Sequence, residues 1–477
     1  MSAASKVEPA GDRTDSPRLV DVSWLDPARV DAQLEQAVPD RGRVEEILAR
    51  ARALRGLSPE EAAVLAQLRD PELVARVLDA AIQVKETIYG PRIVMFAPLY
   101  VSSVCANECS YCAFRAGNPI PRRTLSREQV IAEVEALVRQ GHKRVLVVAG
   151  ESRSRQYLDH VLDTIDAVYS VKRGKGEIRR VNANLAPMDV ASLKRLKGAN
   201  IGTYQVFQET YHPGTYARFH LRGPKADFAW RLSVMDRAME AGLDDVGIGP
   251  LLGLHDWRYE LVAMLHHVAH LEARFGVGPH TISVPRMEPA SGSDLAARPP
   301  HPVSDDDFAK LVAILRLAVP YTGIIMSTRE TPEIRRRTLQ LGVSQISAGS
   351  RTDVGGYTEG PEVPGQFQLG DHRSMEEIVR DLAEMGYVPS FCTACYRLGR
   401  TGADFMDLAR PGEIKHHCDP NALATLSEYL QDYGAPETVQ LGKRLIVDRL
   451  AAMDEKGRRI AGKLLDKVAA GQRDVFV

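Results

Sequence analysis

The chain has 477 residues, 44% of them hydrophobic, enough for one large domain with additions or for two to three domains. Its 61 Lys and Arg against 62 Asp and Glu leave it nearly neutral, which excludes nucleic acid or an anionic membrane as the main partner and favours a small substrate or a protein. No apolar run reaches the length of a membrane span, and the N-terminus MSAASKVEPAGDRTDSPR lacks the apolar core of a signal peptide, so the expected compartment is the cytoplasm. There the 6 cysteines stay reduced and serve as metal ligands rather than as a disulfide scaffold.

Residues 1–18 are polar and turn-rich and are expected to be a disordered tail. Residues 19–88 carry apolar residues at helical spacing, with Ser58-Pro59-Glu60-Glu61 a strong helix start, so a helical lead-in is expected. From Arg92 the pattern turns to short apolar runs alternating with longer amphipathic ones. The runs at 92–103, 143–149, 178–185, 201–208, 244–251, 280–286, 322–328 and 342–348 read as strands. Segments 126–140, 155–170, 226–241, 258–274, 304–317 and 374–385 read as helices. Such alternation predicts an α/β fold, a (β/α)8 TIM barrel over 89–386, with its active site where the strands end. A Pro-rich loop spans 289–302. Beyond Gly386 a stretch rich in Cys, Arg, Gly and His leads to helices at 421–432 and 437–470, so 387–477 is expected to be a mainly α C-terminal domain.

The cysteines fall into two triplets: Cys105, Cys109 and Cys112 as C-x3-C-x2-C, and Cys392, Cys395 and Cys418 as C-x2-C-x22-C. Three thiolates leave one position of a tetrahedral metal or a cubane cluster open, and an open position means chemistry at the metal. The first triplet directly follows the first strand, with no fourth Cys or His nearby, which argues against structural zinc. His416 and His417 flank Cys418, so the spacing of the second triplet leaves both a Cys3His zinc site and a cluster open. Other strand ends carry Ala149-Gly150-Glu151, then Gln208 and Glu209, the latter pair within reach of a ribose. Gly247-x-Gly249 opens no helix and is no dinucleotide fingerprint.

The C-x3-C-x2-C motif at this position resembles that of the radical S-adenosylmethionine enzymes, and the resemblance extends over nearly the whole chain to the tyrosine lyases of iron-iron hydrogenase maturation, the HydG family. It is carried by IVMFAPLYVSSVCANECSYC, GTYQVFQETYH, FGVGPHTISVPR, PYTGIIMSTRE, SQISAGSRTDVGGY and PSFCTACYRLGRTGADFM, the last followed by Cys418 and Asp-Pro-Asn-Ala. The resemblance implies a 4Fe-4S cluster on the first triplet, whose open iron binds S-adenosylmethionine. Tyr111 then packs by the adenine, and Gly150 and Glu151 match the family's Gly-Gly-Glu element, whose carboxylate takes the methionyl ammonium, with Ala149 in place of the first Gly.

It further implies cleavage of L-tyrosine to p-cresol and dehydroglycine, breakdown of the latter to CO and cyanide, and a second 4Fe-4S cluster on Cys392, Cys395 and Cys418 with an additional labile iron held by His280. The implied partners are an electron donor such as ferredoxin or flavodoxin and other hydrogenase maturation proteins. The nearest alternative is the tyrosine lyase of thiamine synthesis (2-iminoacetate synthase), which lacks the second triplet; a non-catalytic metal-binding protein is the other.

Barrel geometry adds that Cys392 follows a helix running away from the strand-end face and that His280 enters its strand from the opposite, bottom face, so the two triplets are expected at opposite ends, with the small product passing through the barrel. His266, His267 and His270 are weaker ligand candidates. For a zwitterionic tyrosine, Arg329 offers a guanidinium to the carboxylate, with Tyr100, Ser347 and Ser350 as polar contacts and Arg286 as the alternative cation.

Overall fold

The first helices are written plainly in the sequence by Asp or Ser followed by Pro. Pro27–Gln36, Pro59–Ala66 and Pro71–Tyr89 each begin with proline behind a capping Asp26, Ser58 or Asp70, and Arg41–Arg52 is capped by Asp40. At Ser58 the full capping box with Glu61 forms. The computed structural model describes residues 21–152, 154, 156–358, 360 and 364–477; the tail expected over 1–18 lies outside the described residues.

Eight parallel strands follow: β1 (Arg92–Ser102), β2 (Arg144–Ala149), β3 (Arg180–Asn184), β4 (Tyr204–Gln205), β5 (Val246–Ile248), β6 (Thr281–Ser283), β7 (Gly323–Met326) and β8 (Val343–Ser347). Each pairs with the next, and β8 returns to β1 in the register Val94↔Gln345 to Phe96↔Ser347, closing the barrel. The strands are shorter than the apolar runs suggest, because the residues beyond them turn into the loops of the mouth. Helices cover the outside, as parallel strands buried on both faces require. The segment expected as one helix at 226–241 is two, Phe228–Leu232 and Val234–Glu240, and the short hairpin of Lys172–Arg173 with Gly176–Glu177 was not anticipated.

A ninth strand, β9 (Val388–Ser390), pairs in parallel with the first residues of β1, Arg92↔Val388 to Val94↔Ser390. It ties the C-terminal region into the main sheet at the bottom of the barrel. A short helix, Gly402–Ala409, follows the second cysteine loop, and then three longer ones, Lys415–Asp432, Pro436–Ala452 and Glu455–Ala469. The first of the longer helices contains Pro420 and so begins earlier than a proline-based reading suggests. The expected single helix 437–470 breaks at Met453, where Asp454 caps a new helix through Gly457 N. No helix of the described residues is long and apolar enough to cross a membrane.

Candidate functional site

The C-terminal ends of the barrel strands enclose a cavity of about 180 Å³ lined by Cys105, Cys109 and Cys112. Two main-chain bonds fasten the cysteine loop to the end of β2: Gly150 N donates to Ser102 O (2.9 Å) and Ala106 N to Glu151 O (2.9 Å). Position 150 must be glycine, since a Cβ there would lie 2.4 Å from the Val104 carbonyl oxygen. Burial pushes all three thiols above their ordinary value. Cys109 is buried and Cys105 and Cys112 are half-buried, and all three line one cavity, a donor set of three thiols that leaves one position of a cluster open. These residues therefore fit the cluster that C-x3-C-x2-C implies.

Glu151 and Glu209 both line the same cavity and share the guanidinium of Arg231. Glu151 accepts from Asn107 Nδ2 (2.7 Å) and pairs with Arg231 Nη1 (2.8 Å); Glu209 pairs with Lys225 Nζ (2.5 Å) and stands 3.7 Å from Arg231 Nη2. Burial alone would raise both carboxyls, but the charges of Arg231 and Lys225 hold both below the ordinary carboxylate range. Glu209 adopts φ +70, a conformation costly for a residue with a Cβ and concentrated at functional sites. Two ionised carboxylates at the cavity wall are what the ammonium and ribose hydroxyls of S-adenosylmethionine require. The Tyr111 hydroxyl meets His220 Nε2 (2.9 Å), and His220 Nδ1 bonds the Tyr216 carbonyl (2.8 Å). Burial and the Lys225 charge keep His220 neutral, so it fixes the ring of Tyr111.

Gln208 is the exception among the expected contacts. Phe207 and Glu209 line the cavity and Gln208, between them, does not; its Nε2 is buried without a hydrogen-bond partner in the structure. Strand alternation turns it to the opposite side.

Arg329, Tyr100 and Ser347 all line the cavity. Arg329 lies 3.2 Å from the centroid of Phe367, makes no ion pair among the described residues, and is lowered from its ordinary value by burial. Tyr100 donates to Gln366 Oε1 (2.9 Å), whose Nε2 points at Cys112 Sγ (3.7 Å). Ser347 Oγ accepts from Thr328 N (3.1 Å). Arg286, the alternative cation, is instead held by Glu330 and by Asp305 (2.7 Å), and Ser350 does not line the cavity.

The second triplet sits at the other end. Arg144, the first residue of β2, donates from Nη2 to the Cys392 carbonyl (2.8 Å). Cys395 and Cys418 share a hydrogen bond that lowers the former and raises the latter, while burial raises Cys392. Tyr396 links this loop to the barrel floor: its ring lies 4.2 Å from Arg180 and 6.2 Å from the ring of His280, and its hydroxyl meets Thr203 Oγ1 (3.1 Å). His280 packs on Phe405 (4.5 Å) with Nδ1 3.5 Å from Asp245 Oδ1. Cys395 and Cys418 lie within hydrogen-bond reach of each other and close to Cys392, an all-thiol donor set that suits a cluster here as well. His417 is engaged by Arg400 (3.0 Å), and among the described residues no three His, Cys, Asp or Glu side chains converge as a single metal ion requires. His266, His267 and His270 bond Gln33, Tyr211 and Asp236 respectively, away from the second triplet.

The sequence reading missed Arg231, Lys225, Asn107 and Gln366. The first two come from the short helical turns Pro224–Ala226 and Phe228–Leu232, and no spacing rule marks them. Asn107 stands inside the cysteine loop, where a polar residue between ligands was a usable signal.

Residues 99–267 match the radical SAM superfamily, and residues 283–388 match the Biotin and Thiamin Synthesis associated domain; both matches end before Cys392. The 2-iminoacetate synthase of Escherichia coli (strain K12) is 32% identical over 302 residues, 63% of this chain and 78% of the synthase. The crystal structure of HydG, a maturase of the FeFe-hydrogenase, has a TM-score of 0.93 at 48% identity, covering 95% of this chain and 100% of that one. HydG from Carboxydothermus hydrogenoformans has a TM-score of 0.81 at 40% identity, covering 92% and 97%.

Proposed function

The chain belongs to the HydG family of FeFe-hydrogenase maturases, and from that premise we propose how its two cysteine sites divide the work. It is a radical S-adenosylmethionine lyase that cleaves L-tyrosine to p-cresol and dehydroglycine at the mouth of the barrel, converts the latter to CO and cyanide, and assembles an iron-carbonyl-cyanide unit for the hydrogenase cofactor. The observation that carries this reading is the second triplet, which lies beyond both domain matches yet within a likeness spanning 95% of the chain. The 32% identity with 2-iminoacetate synthase supports the shared tyrosine cleavage, while Cys392, Cys395 and Cys418 favour the maturase over the thiamine-pathway lyase.

When bound at Cys105, Cys109 and Cys112, the 4Fe-4S cluster and S-adenosylmethionine supply a 5′-deoxyadenosyl radical. Glu151 takes the methionyl ammonium, Glu209 the ribose, and Tyr111 the adenine. Arg231 and Lys225 keep both carboxylates ionised. Arg329 orients the tyrosine carboxylate, and Tyr100 and Ser347 offer polar contacts at the same wall. At the floor, Cys392, Cys395 and Cys418 hold the second cluster and His280 the additional iron, with Asp245 orienting the imidazole. Reduction requires an external electron donor, and the product goes to a further maturation protein.

The test is anaerobic incubation of the reconstituted, reduced protein with S-adenosylmethionine and tyrosine, assaying p-cresol, 5′-deoxyadenosine, CO and cyanide. Absence of p-cresol sinks the lyase reading. The Cys392→Ser/Cys395→Ser variant is expected to lose CO and keep p-cresol; loss of both would refute the division between the two ends. His280→Ala is expected to keep the 4Fe-4S signal and lose the fifth iron.

A further inference from the structure

The cysteine loop at the barrel mouth has an outer side that the cavity chemistry does not use. The segment Phe219–Arg222 is laid against it as a short antiparallel ladder. Ser110 N donates to Phe219 O (3.0 Å), Leu221 N to Glu108 O (3.0 Å) and Glu108 N to Arg222 O (2.9 Å), with Cys109 bridged to His220. Gly223, at φ +97, makes this close approach possible: a Cβ there would lie 2.5 Å from the Ala106 carbonyl oxygen. The side chains of this ladder that face water are therefore separated from Cys109 only by main chain.

Those side chains have a distinct character. Leu221 is 61% exposed, and Val104, the residue before Cys105, is 40% exposed. Arginines adjoin them: Arg222 follows Leu221, and Arg122 bonds the carbonyl of Ser103, next to Val104. Arg222, with 73% of its side chain exposed, and Arg115 share the single carboxylate of Glu108 at 3.4 and 3.1 Å. Arg122 spends its guanidinium on the carbonyls of Ser103, Phe114, Arg115 and Asn118. Arg218 is exposed, stacks on Phe219 and makes no ion pair among the described residues. Of these four guanidinium groups only Arg222 and Arg115 meet a carboxylate, that of Glu108, among the described residues. In a chain that is neutral as a whole, this is a local excess of positive charge on the outer side of the loop that carries Cys109.

We propose that the rim formed by Leu221, Arg218 and Arg222 is the docking surface for an acidic one-electron donor protein. The inference rests on the radical S-adenosylmethionine reading, which requires one electron from outside for each reductive cleavage. The donor is oxidised by one electron and the site at Cys109 is reduced by one, with no atom transferred. An exposed apolar residue beside exposed charge fits the weak, transient contacts of electron-transfer partners rather than a stable complex. Complementary charge acts mainly on the encounter rate and is screened by salt.

The experiment uses the full-length holoprotein with both clusters reconstituted, reduced flavodoxin as the donor and dithionite as the small-molecule control. The rate of cluster reduction is followed by freeze-quench EPR. In Arg218→Glu/Arg222→Glu the flavodoxin-driven rate is expected to fall by about tenfold or more at low ionic strength. Leu221→Ser should slow it less, and Arg459→Glu, on the exposed side of a C-terminal helix, should leave it unchanged. The wild-type rate should fall with added salt. Reduction by dithionite, and dithionite-driven p-cresol formation, should be the same in all variants.

An undiminished flavodoxin rate in the double variant, or a wild-type rate insensitive to salt, overturns the proposal. Equal slowing with dithionite also overturns it, by showing that the loop itself is damaged. A wild-type protein that is reduced normally but makes no p-cresol would instead refute the lyase reading and leave the docking surface standing.

Discussion

Gly150→Ala tests whether the carboxylate Glu151 and the first cysteine site are held as one rigid unit. The added Cβ would lie 2.4 Å from Val104 O, 2.9 Å from Val104 C and 3.2 Å from Cys105 Cβ. Carbon contacts in proteins are comfortable from about 3.5 Å, so the loop and the strand end must separate by roughly 1 Å. Neither side gives easily, because Gly150 N–Ser102 O and Glu151 O–Ala106 N fasten them together at 2.9 Å each. Overpacking of this kind costs about 1–3 kcal/mol of stability. A displacement of about 1 Å between reacting groups lowers the rate on the order of 10²-fold.

The assay is single-turnover formation of 5′-deoxyadenosine and p-cresol, normalised to the iron and sulfide bound at the first site. Ala149→Gly is the control, since position 149 already carries a Cβ and should tolerate its loss at the cavity. If Gly150→Ala assembles a normal cluster and turns over within about threefold of the wild type, the rigid coupling of Glu151 to Cys105 is wrong.

Arg231→Met removes the cation shared by Glu151 and Glu209. At an effective dielectric constant of about 20 the two contacts are worth roughly 6 and 4 kcal/mol of Coulomb attraction, and breaking a buried pair costs about 3–5 kcal/mol net. Weaker S-adenosylmethionine binding should accompany the loss. Glu151→Gln in the same chain should recover part of the stability, and strictly additive effects in that double-mutant cycle would refute the coupling. Asp371 pairs with Arg335, which also donates to the Ser347 carbonyl (2.6 Å): burial alone would raise the Asp371 carboxyl, but hydrogen bonds from Arg373 and the charge of Arg335 hold it below its ordinary value. A depressed carboxyl contributes stability that is present above the unfolded value of about 4 and lost as pH falls through the folded value. Asp371→Asn, which strands the buried Arg335, should therefore be destabilised by about 3–5 kcal/mol at pH 7, with a gap to the wild type that narrows below about pH 4; urea unfolding of the apoprotein reads it, and a pH-independent gap would exclude a charge origin. Asp474→Ala removes the bridge from Arg397, two residues after Cys395, to Arg179 at 3.2 Å. It should lower iron retention at the second site on dilution and leave p-cresol formation intact, whereas unchanged iron content would deny residue 474 any hold on that loop.

The barrel was legible because its strands are buried on both faces and so are spelled as apolar, β-branched runs such as Arg144–Ala149 and Gly323–Met326. The cysteine triplets were legible because ligand spacing is local in sequence. The cations were not. Arg231 and Lys225 reach the cavity from short helical turns after β4, and nothing in the order FAWRL or PKA distinguishes a guanidinium aimed inward from one in water. Gln208 shows the reverse failure: it is adjacent in sequence to Glu209, yet side chains along a strand alternate, so only one of two neighbours can face the cavity. The φ of +70 at Glu209 bends the chain just there, and no residue type announces it.

β1 explains why the two cysteine sites can be perturbed separately although one sheet carries both. Its last residues pair with β2 as far as Ser102↔Ala149 and lead into Cys105, while its first three pair with β9, which leads into Cys392. Val94, opposite Ser390, and Ser102 are separated by eight residues, roughly 26 Å of extended strand. At that distance a serine at Cys392 or Cys395 has no shared partner with Cys105, and effects at sites so far apart are close to additive. The loss of CO with retention of p-cresol therefore reads the second site itself and not damage relayed to the first. A defect at the first site removes both activities, because CO derives from the dehydroglycine released with p-cresol, so only the loss of CO with p-cresol retained isolates the second site.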